Sequence, residues 1–515
     1  MNKDVTQLRF ENKELTELVQ SLRSTIGELE ANVALLTHEK QCLLKRLFGR
    51  SSEKIDPRQL ELLLGLAEAE EPAAESAPKE TTRRPRRGGR RGKPRIPEDL
   101  PTEEIVLVPP EVEKDPEAFV AIGEEVTQEL DYIAPKYFRR LYIRRKFVRK
   151  AERSLPPVIA PLPPRLIRGG YAGVALLVDI ALKKFIDHLP LYRQEQILKS
   201  RYGIEISRKT MCDWLEQVAW WLKPIYNHIA GQLRQLGYLQ IDETPIRYCQ
   251  AEGGGSRQGY LWVYHAPGSG VYYEWHTGRG AECLEGMLAE FGGTAQTDGY
   301  GAYGSYVNGR ARRIEAGESA KVIELAACWA HVRRKFKEAL EESPVQAAWV
   351  LNQIGMLYGC ERELRENRSG PALRAARRSS HSSMVAGRIG KMLRLKLASH
   401  RPASQMAKAI RYTLSLWPQL QCFLEKGEVE IDNNRVENAI RPTALGKKNY
   451  LFFGAPEAGE RAAIFYTILE NCKLEGINPQ EYLRDVLSRL PSMSHHQTGY
   501  LTPAAWAAQR KRQAA

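Results

Sequence analysis

Residues 236 to 303 hold the pattern that most narrows the fold. Three runs rich in β-branched and aromatic residues follow one another: "LGYLQIDETPIRY" (236–248), "GYLWVYHA" (259–266) and "GVYYEWHT" (270–277). Each reads as a strand. A helical stretch, "GAECLEGMLAEF", comes next. A fourth strand-like run, "GGTAQTDGYGAY" (292–303), ends in a glycine-rich turn.

Strand, strand, strand, helix, strand is the opening of a ribonuclease-H-like sheet, in which the first and fourth strands are neighbours. Two carboxylates sit on those strands. Asp242 lies in the first, between apolar residues, and Asp298 ends the fourth, 56 residues later (298 − 242). Two such aspartates repel each other unless a cation lies between them. Mg²⁺ suits hard oxygen ligands and keeps open water positions. A two-metal site needs a third carboxylate, and "EIDNNRVENAIRP" (430–442) offers Glu437. Asp432 is placed to cap the helix that begins there. Asn433, Glu437 and Arg441 fall one turn apart on one face, with Asn434 three residues from Glu437. Amides beside a carboxylate can orient it without adding charge. The expected ligands are therefore Asp242, Asp298 and Glu437, with Asn433 and Asn434 supporting. In "ACWAHVRRKF" (327–336), Cys328 and His331 make one C-x-x-H pair, too few ligands for zinc. His331 is expected to border the site.

The chain has 515 residues and a formal charge of +14. That length predicts several domains, and that charge favours an anionic partner, nucleic acid first. Arg333, Arg334, Lys447 and Lys448 are candidate phosphate contacts beside the carboxylates. The eight cysteines are scattered, with no CxxC pair, which predicts reduced thiols in a cytosolic setting. The N-terminus lacks a signal-peptide core, and no run of 18 apolar residues predicts a membrane span.

Other segments have their own texture. Leu8, Leu15, Leu22, Leu29, Leu36 and Leu43 recur every seventh position, with mostly β-branched residues at the alternate seam. That predicts a parallel two-stranded coiled coil over 1–50 and a homo-oligomer. Residues 51–98 turn acidic, then basic. Nine Lys/Arg, among them Arg86, Arg87, Arg90 and Arg91, face one acid over 79–95, and interleaved Pro and Gly predict a disordered linker that can lie on phosphates. Residues 99–155 read as a small β-rich module without cysteine. Residues 156–230 read as helical. There a helix ends near Arg201, Gly203 turns the chain, and Ser207 caps the next helix, whose first residues are Arg208 and Lys209. This is helix-turn-helix spacing. The sheet and its carboxylates occupy 231–456, with a basic helical insertion at about 304–428. A helical segment over 457–490 and a loose tail over 491–515 follow.

These strings together resemble the transposases of the IS66 group of bacterial insertion sequences. The matching stretches are "HLPLYRQEQILKSRYGIEISRKTMCDW", "IDETPIRY", "GYLWVY", "QTDGYGAY", "CWAHVRRKF", "IDNNRVENAIRP", "GKKNYLFFG" and "ENCKLEGINPQEYL", in order over about 155–487. The opening heptad followed by "RLFGRSSEK" is also similar. The resemblance implies a multidomain α+β protein, a DDE recombinase with an RNase-H-like core. It implies Asp242, Asp298 and Glu437 as first, second and third ligands of two Mg²⁺, with Mn²⁺ as a substitute. It implies a helical insertion in the 139 residues (437 − 298) between the last two. The implied partners are the element's terminal inverted repeats, target DNA and small accessory proteins, in the bacterial cytoplasm at the nucleoid. One departure stands out: the cysteine zinc module common in the group is absent between Cys42 and Cys212, so no zinc is expected. Two rivals share these features. One is a structure-specific nuclease on the same fold. The other is a catalytically silent, transposase-derived DNA-binding repressor.

Overall fold

The structure is a computed structural model that describes residues 137–147, 158–250 and 255–514. The coiled coil of 1–50, the linker of 51–98 with Arg86, Arg87, Arg90 and Arg91, and most of the 99–155 module lie outside the described residues. The described residues fall into two compact units, parted at Leu162 and Pro163. The smaller shows one two-stranded antiparallel ladder, β1 (Lys146–Phe147) with β2 (Val158–Ile159).

The larger unit begins with three helices, α1 (Val174–Phe185), α2 (Leu191–Tyr202) and α3 (Arg208–Arg234). Gly203 closes α2 with φ +65°, a left-handed C-cap that suits glycine. Ser207 Oγ accepts the Thr210 amide at 3.1 Å and so caps α3. At 27 residues, α3 outruns a short recognition helix. Its apolar stripe does not stop: Met211, Leu215, Leu222, Ile225, Ile229 and Leu233 are all buried.

The sheet comes next, in the order β5-β4-β3-β6-β7. Strands β3 (Tyr238–Cys249), β4 (Ser256–Ala266) and β5 (Gly270–His276) form an antiparallel meander. A 3-10 turn (Ala281–Leu284) and a single helical turn, α4 (Glu285–Leu288), lead to β6 (Gly293–Thr297), which pairs parallel with β3. The helix expected over "GAECLEGMLAEF" is thus shortened. A Cβ on Gly286 would lie 2.5 Å from Glu274 Oε1, so the segment presses close on β5. Helix α5 (Gly301–Glu315) crosses to β7 (Ile323–Ala327), parallel to β6. This strand is an exception within the stretch of about 304–428 expected to be a helical insertion. Five residues are too few for a period to separate strand from helix.

After β7 the chain is helical: α6 (Trp329–Glu338), α7 (Pro344–Glu366), α8 (Pro371–Arg377), a π-turn (Arg378–Ser382), α9 (Ser383–Lys396), α10 (Gln405–Ser415) and α11 (Trp417–Glu425). They share one core around Trp329, Phe336, Ile354, Ile389, Ile410 and Phe423. Inside it Glu361 and Arg378 are fully buried and 2.6 Å apart, with Arg374 3.1 Å from the same carboxylate. Arg378 also donates to the carbonyls of Phe423, Lys426 and Val429, closing the end of α11.

The chain then enters α12 (Asn434–Tyr450), β8 (Phe452–Phe453) and α13 (Pro456–Leu474). Apolar on nearly every side, α13 is buried against β5. It also satisfies the outer edge of that strand. Asn471 accepts from the Val271 amide and donates to its carbonyl, and Thr467 accepts the Tyr273 amide. The edge cannot template another strand there. Helices α14 (Pro479–Arg489) and α15 (Pro503–Ala514) follow. The tail expected to be loose is therefore ordered: Trp506 is buried and donates to Asp485 at 2.8 Å, and Tyr482 donates to the Leu501 carbonyl at 2.5 Å. Among the described residues no helix is long and apolar enough to cross a membrane.

Removing one partner of a buried ion pair leaves the other charge uncompensated, at a cost of about 3–5 kcal/mol. Glu361→Gln is therefore expected to unfold at a clearly lower denaturant concentration than wild type. Unchanged denaturation would show that the pair does not hold the helical layer.

Candidate active site

The ladder between β3 and β6 covers only Tyr238, Leu239 and Gln240, and β8 pairs with β3 only at Arg247 and Tyr248. Asp242 falls between the two, where that edge of β3 is open. Gln240 stands directly opposite Gln296. Each glutamine lies two residues before an aspartate: on β3 a strand's period of two puts Gln240 on the face of Asp242, and Asp298 directly follows the end of β6 at Thr297.

Those glutamines are fully buried and tie the third segment to both strands. Gln240 Nε2 donates to the Asp432 carbonyl at 2.9 Å, and Gln296 Nε2 to the Glu430 carbonyl at 2.8 Å. Tyr238 donates to Gln296 Oε1 at 2.5 Å and accepts the Glu430 amide at 3.1 Å. The strand with Asp242, the strand before Asp298 and the lead-in to Glu437 thus meet in one buried network. Buried amides and hydroxyls bonded in this way fix a unique arrangement.

The carboxylates feel one another. Burial pushes the Asp242 carboxyl up to about 8, and the charges of Glu243, Asp298 and Glu437 add to the rise. Asp242 Oδ1 accepts the Glu243 amide at 2.9 Å, and Asp298 Oδ1 accepts the Tyr300 amide at 2.8 Å. Among the described residues neither Oδ2 has a hydrogen bond. Tyr412 of α10 donates to the Asp298 carbonyl at 2.7 Å. His331 Nε2 lies 3.7 Å from Glu437 Oε1, and Arg334 4.0 Å from Oε2. Burial, and then Arg334, hold the His331 imidazole below its usual value, so it meets Glu437 as a neutral ring.

Several expected roles change. Asn433, not Asp432, occupies the N-cap position of α12, and its side chain makes no capping bond. Its amide is buried, and neither of its polar atoms has a hydrogen-bond partner. Asn434 is exposed and bonds Asp432 Oδ2 at 2.9 Å. Neither amide therefore orients Glu437 in the expected way. Lys447 donates to Thr244 Oγ1 at 3.2 Å and the Pro245 carbonyl at 3.1 Å, which ties α12 to β3. Arg441 and Lys448 are exposed on α12, and Arg333 is half-buried on α6. Arg208 and Lys209 are exposed at the start of α3, with Lys209 3.5 Å from Asp213, and share no ion pair with the carboxylates. The Cys328 thiol is buried, pushed up to about 12, and accepts the Asn433 amide, so it packs the α12 lead-in.

Tyr238, Gln240, Gln296, Glu243, Arg279 and Tyr303 also build the site and are not among the expected site residues. Glu243 is buried, receives Tyr303 at 2.5 Å and Arg279 Nε at 2.7 Å, and Arg279 lies 3.8 Å over the Tyr300 ring. This second cluster braces the turn after Asp298. A signal for the glutamines was present: Gln-x-Asp occurs twice, at 240–242 and 296–298.

Carboxylate oxygens such as those of Asp242, Asp298 and Glu437 are of the kind a hard divalent cation takes. Among the described residues no three His, Cys, Asp or Glu side chains already stand close enough to close round an ion.

Residues 169–461 match the family described as Transposase IS66 family, 467–503 match the IS66 C-terminal element, and 35–105 match Transposase C of IS166 homeodomain. The chain belongs to the IS66 transposase family. It is similar to two uncharacterised proteins of Sinorhizobium fredii. It is 33% identical to y4qI, covering 92% of this chain and 88% of that one. It is also 33% identical to y4jD, covering 99% and 100%.

Two outcomes test this geometry. An aspartate ordinarily titrates at 3.8, and Asp242 does so at about 8. Below the first value both folded and unfolded chains hold the proton, and nothing is lost. Between the two values the unfolded chain ionises first, so metal-free stability falls as pH rises and levels off above 8. Asp242→Asn removes this loss. Without metal it should melt above wild type at pH 8, with the gain shrinking towards pH 4. An equal gain at both values would refute the burial of an uncompensated charge. Gln296→Leu leaves the Glu430 carbonyl unpaired and should cost about 1–3 kcal/mol in denaturation.

Proposed function

We propose that this chain is a DNA transposase that binds the terminal inverted repeats of its own insertion element and cuts and joins DNA strands there. What supports this reading is one buried network that joins β3, which carries Asp242, β6, which leads to Asp298, and the lead-in to α12, which carries Glu437. The strand order supports it. An antiparallel meander followed by two parallel strands, with the first strand at the centre, is the arrangement of RNase-H-like sheets.

Asp242, Asp298 and Glu437 would hold divalent metal, Mg²⁺ by their hard oxygen chemistry. When bound, such ions lower the pKa of a water and stabilise the charge on the leaving oxygen. The chain's own residues do the placing. The Gln240–Gln296 pair fixes the distance between strands and α12. Neutral His331 borders Glu437 without competing for its charge at neutral pH. Arg334, Arg441 and Lys448 offer cations to a phosphate backbone near the carboxylates. Phosphoryl transfer of this kind depends mostly on positioning and charge neutralisation, which matches a site built from rigid strand ends and a helix.

A second reading, a catalytically silent DNA-binding repressor, draws on the absence of a closed ligand cluster among the described residues. A labelled duplex carrying the element's end, incubated with Mg²⁺, separates the two. Wild type should nick it at the end. Asp298→Asn and Glu437→Gln should bind it equally well and cut at least about a hundredfold more slowly, near 3 kcal/mol of barrier at ~1.4 kcal/mol per tenfold. Substantial metal-dependent cleavage by either variant would overturn the ligand assignment. Binding without cleavage by wild type, with accessory proteins supplied, would favour the repressor.

A further inference from the structure

Residues 367–424 contain no aspartate or glutamate, although the whole chain holds 62 acids in 515 residues, so a run of 58 would ordinarily carry several. The same run holds eleven Lys and Arg. Two of them, Arg374 and Arg378, are consumed inside by Glu361 and Glu430. Arg377 lies 3.7 Å from Glu363. Most of the rest point outward with no acid to meet.

Their placement is regular. Helices α9 and α10 are packed neighbours, and Ile389, Leu393, Met406 and Ile410 bury their inner sides in one core. On the outer side of α9, Arg388, Lys391 and Arg394 recur every three residues and are exposed. On α10, Lys408 and Arg411 do the same. Three residues on a helix is one neighbouring step along a face. Exposed Lys396 and Arg401 lie at the end of α9 and in the loop that joins the helices. None of these seven is in an ion pair among the described residues. Arg394 lies 5.6 Å over the Trp417 ring and Arg411 donates to the Pro402 carbonyl, so two of them are already oriented. One acid, Glu342, accepts the Gln405 amide at the start of α10.

We propose that this acid-free face of α9, α10 and their loop is a second DNA surface. It would grip the phosphate backbone of duplex that extends beyond the scissile phosphate, without reading its sequence. The proposal rests on the transposase reading above and adds to it a place where the flanking duplex lies. Three features favour DNA over an acidic protein. The exposed residues of this face include no aromatic side chain, whereas protein interfaces are enriched in aromatics and depleted in lysine. Helix α9, at 14 residues, is about 21 Å long, more than half of the ~34 Å turn of B-DNA. The face also begins at the site itself: Arg411 is followed by Tyr412, whose hydroxyl holds the Asp298 carbonyl at 2.7 Å.

The test uses the full chain and the variant R388Q/K391Q/K396Q/K408Q, all four positions exposed and unpaired. Binding to a labelled duplex of arbitrary sequence is measured by fluorescence anisotropy over a range of salt. Each lost phosphate contact lowers the salt slope by about 0.9, so a fall of up to roughly 3.6 is expected for four. Affinity at moderate salt should fall at least about tenfold, with an unchanged melting temperature. Arg208→Gln/Lys209→Gln serves as a comparison on a separate element, and its loss should add to that of the quadruple variant. An unchanged slope in the quadruple variant, with wild type binding DNA normally, overturns this surface and leaves the transposase reading intact. Unchanged DNA binding together with lost binding of polyglutamate assigns the face to an acidic protein, and also overturns the proposal. A wild-type chain that binds no DNA overturns both.

Discussion

The rest of the site depends on two buried glutamines facing each other across parallel strands. Gln240 and Gln296 occupy paired positions on β3 and β6, and their amide nitrogens reach past each other to the Asp432 and Glu430 carbonyls. Each amide is a donor that must find an acceptor once buried, and the shortest backbone bond each makes is to the lead-in to α12. Tyr238 closes the arrangement by bonding both a glutamine and the Glu430 amide. Three stretches far apart in sequence are thereby held in one register. The aspartates and Glu437 sit just beyond that lock, so their spacing follows from hydrogen bonds they do not make themselves.

Charge is treated in opposite ways on the two sides of the lock. Glu430 is surrounded by Arg365 and Arg374, at 2.8 and 3.1 Å, and is held below the ordinary carboxylate value despite its burial. Glu361 is matched by Arg374 and Arg378. Glu243 is matched by Arg279. Asp242, two strand positions from Gln240, receives no cation and is pushed up to about 8. A fold that neutralises three buried glutamates and leaves the half-buried Asp242 without an ion pair among the described residues holds that position in readiness for a charge from outside. Uncompensated buried charge is costly, and such strain gathers at functional sites.

The sequence showed the parts that depend on local pattern. Long alternating runs marked β3, β4 and β5, and apolar flanks singled out Asp242. Ser207 and Gly203 marked the boundary of two helices because capping and left-handed turns need few residue types. What it hid depends on partners far along the chain. A glutamine in a strand reads as a surface residue until the carbonyl it serves is known, and Asp432 lies 192 residues from Gln240. The short run "IELAA" carries too little period to separate strand from helix. Asn433 and Asn434 looked like supports for Glu437. Helix entry instead buried one and turned the other outward onto Asp432. The tail from 491 looked loose because its order comes from Trp506 and Leu501 meeting Asp485 and Tyr482, not from its own composition.

The long stretch between Asp298 and Glu437 poses a physical problem that the structure resolves. Closing a loop of that length costs entropy, but only as the logarithm of its length, about 0.6 kcal/mol per doubling. What matters is that both ends are fixed where the chemistry needs them. At the near end, Tyr412 of α10 holds the Asp298 carbonyl. At the far end, Arg378 gathers the carbonyls of Phe423, Lys426 and Val429, one residue short of Glu430. Arg365 and Arg374 then hold Glu430 itself. The helical layer therefore acts as a clamp whose own core fixes the approach of α12 to β3. Because its inner face is committed to that task through buried ion pairs, its outer face is free of structural demands. The absence of acids across that outer face then calls for a cause other than folding, and an anionic partner supplies one.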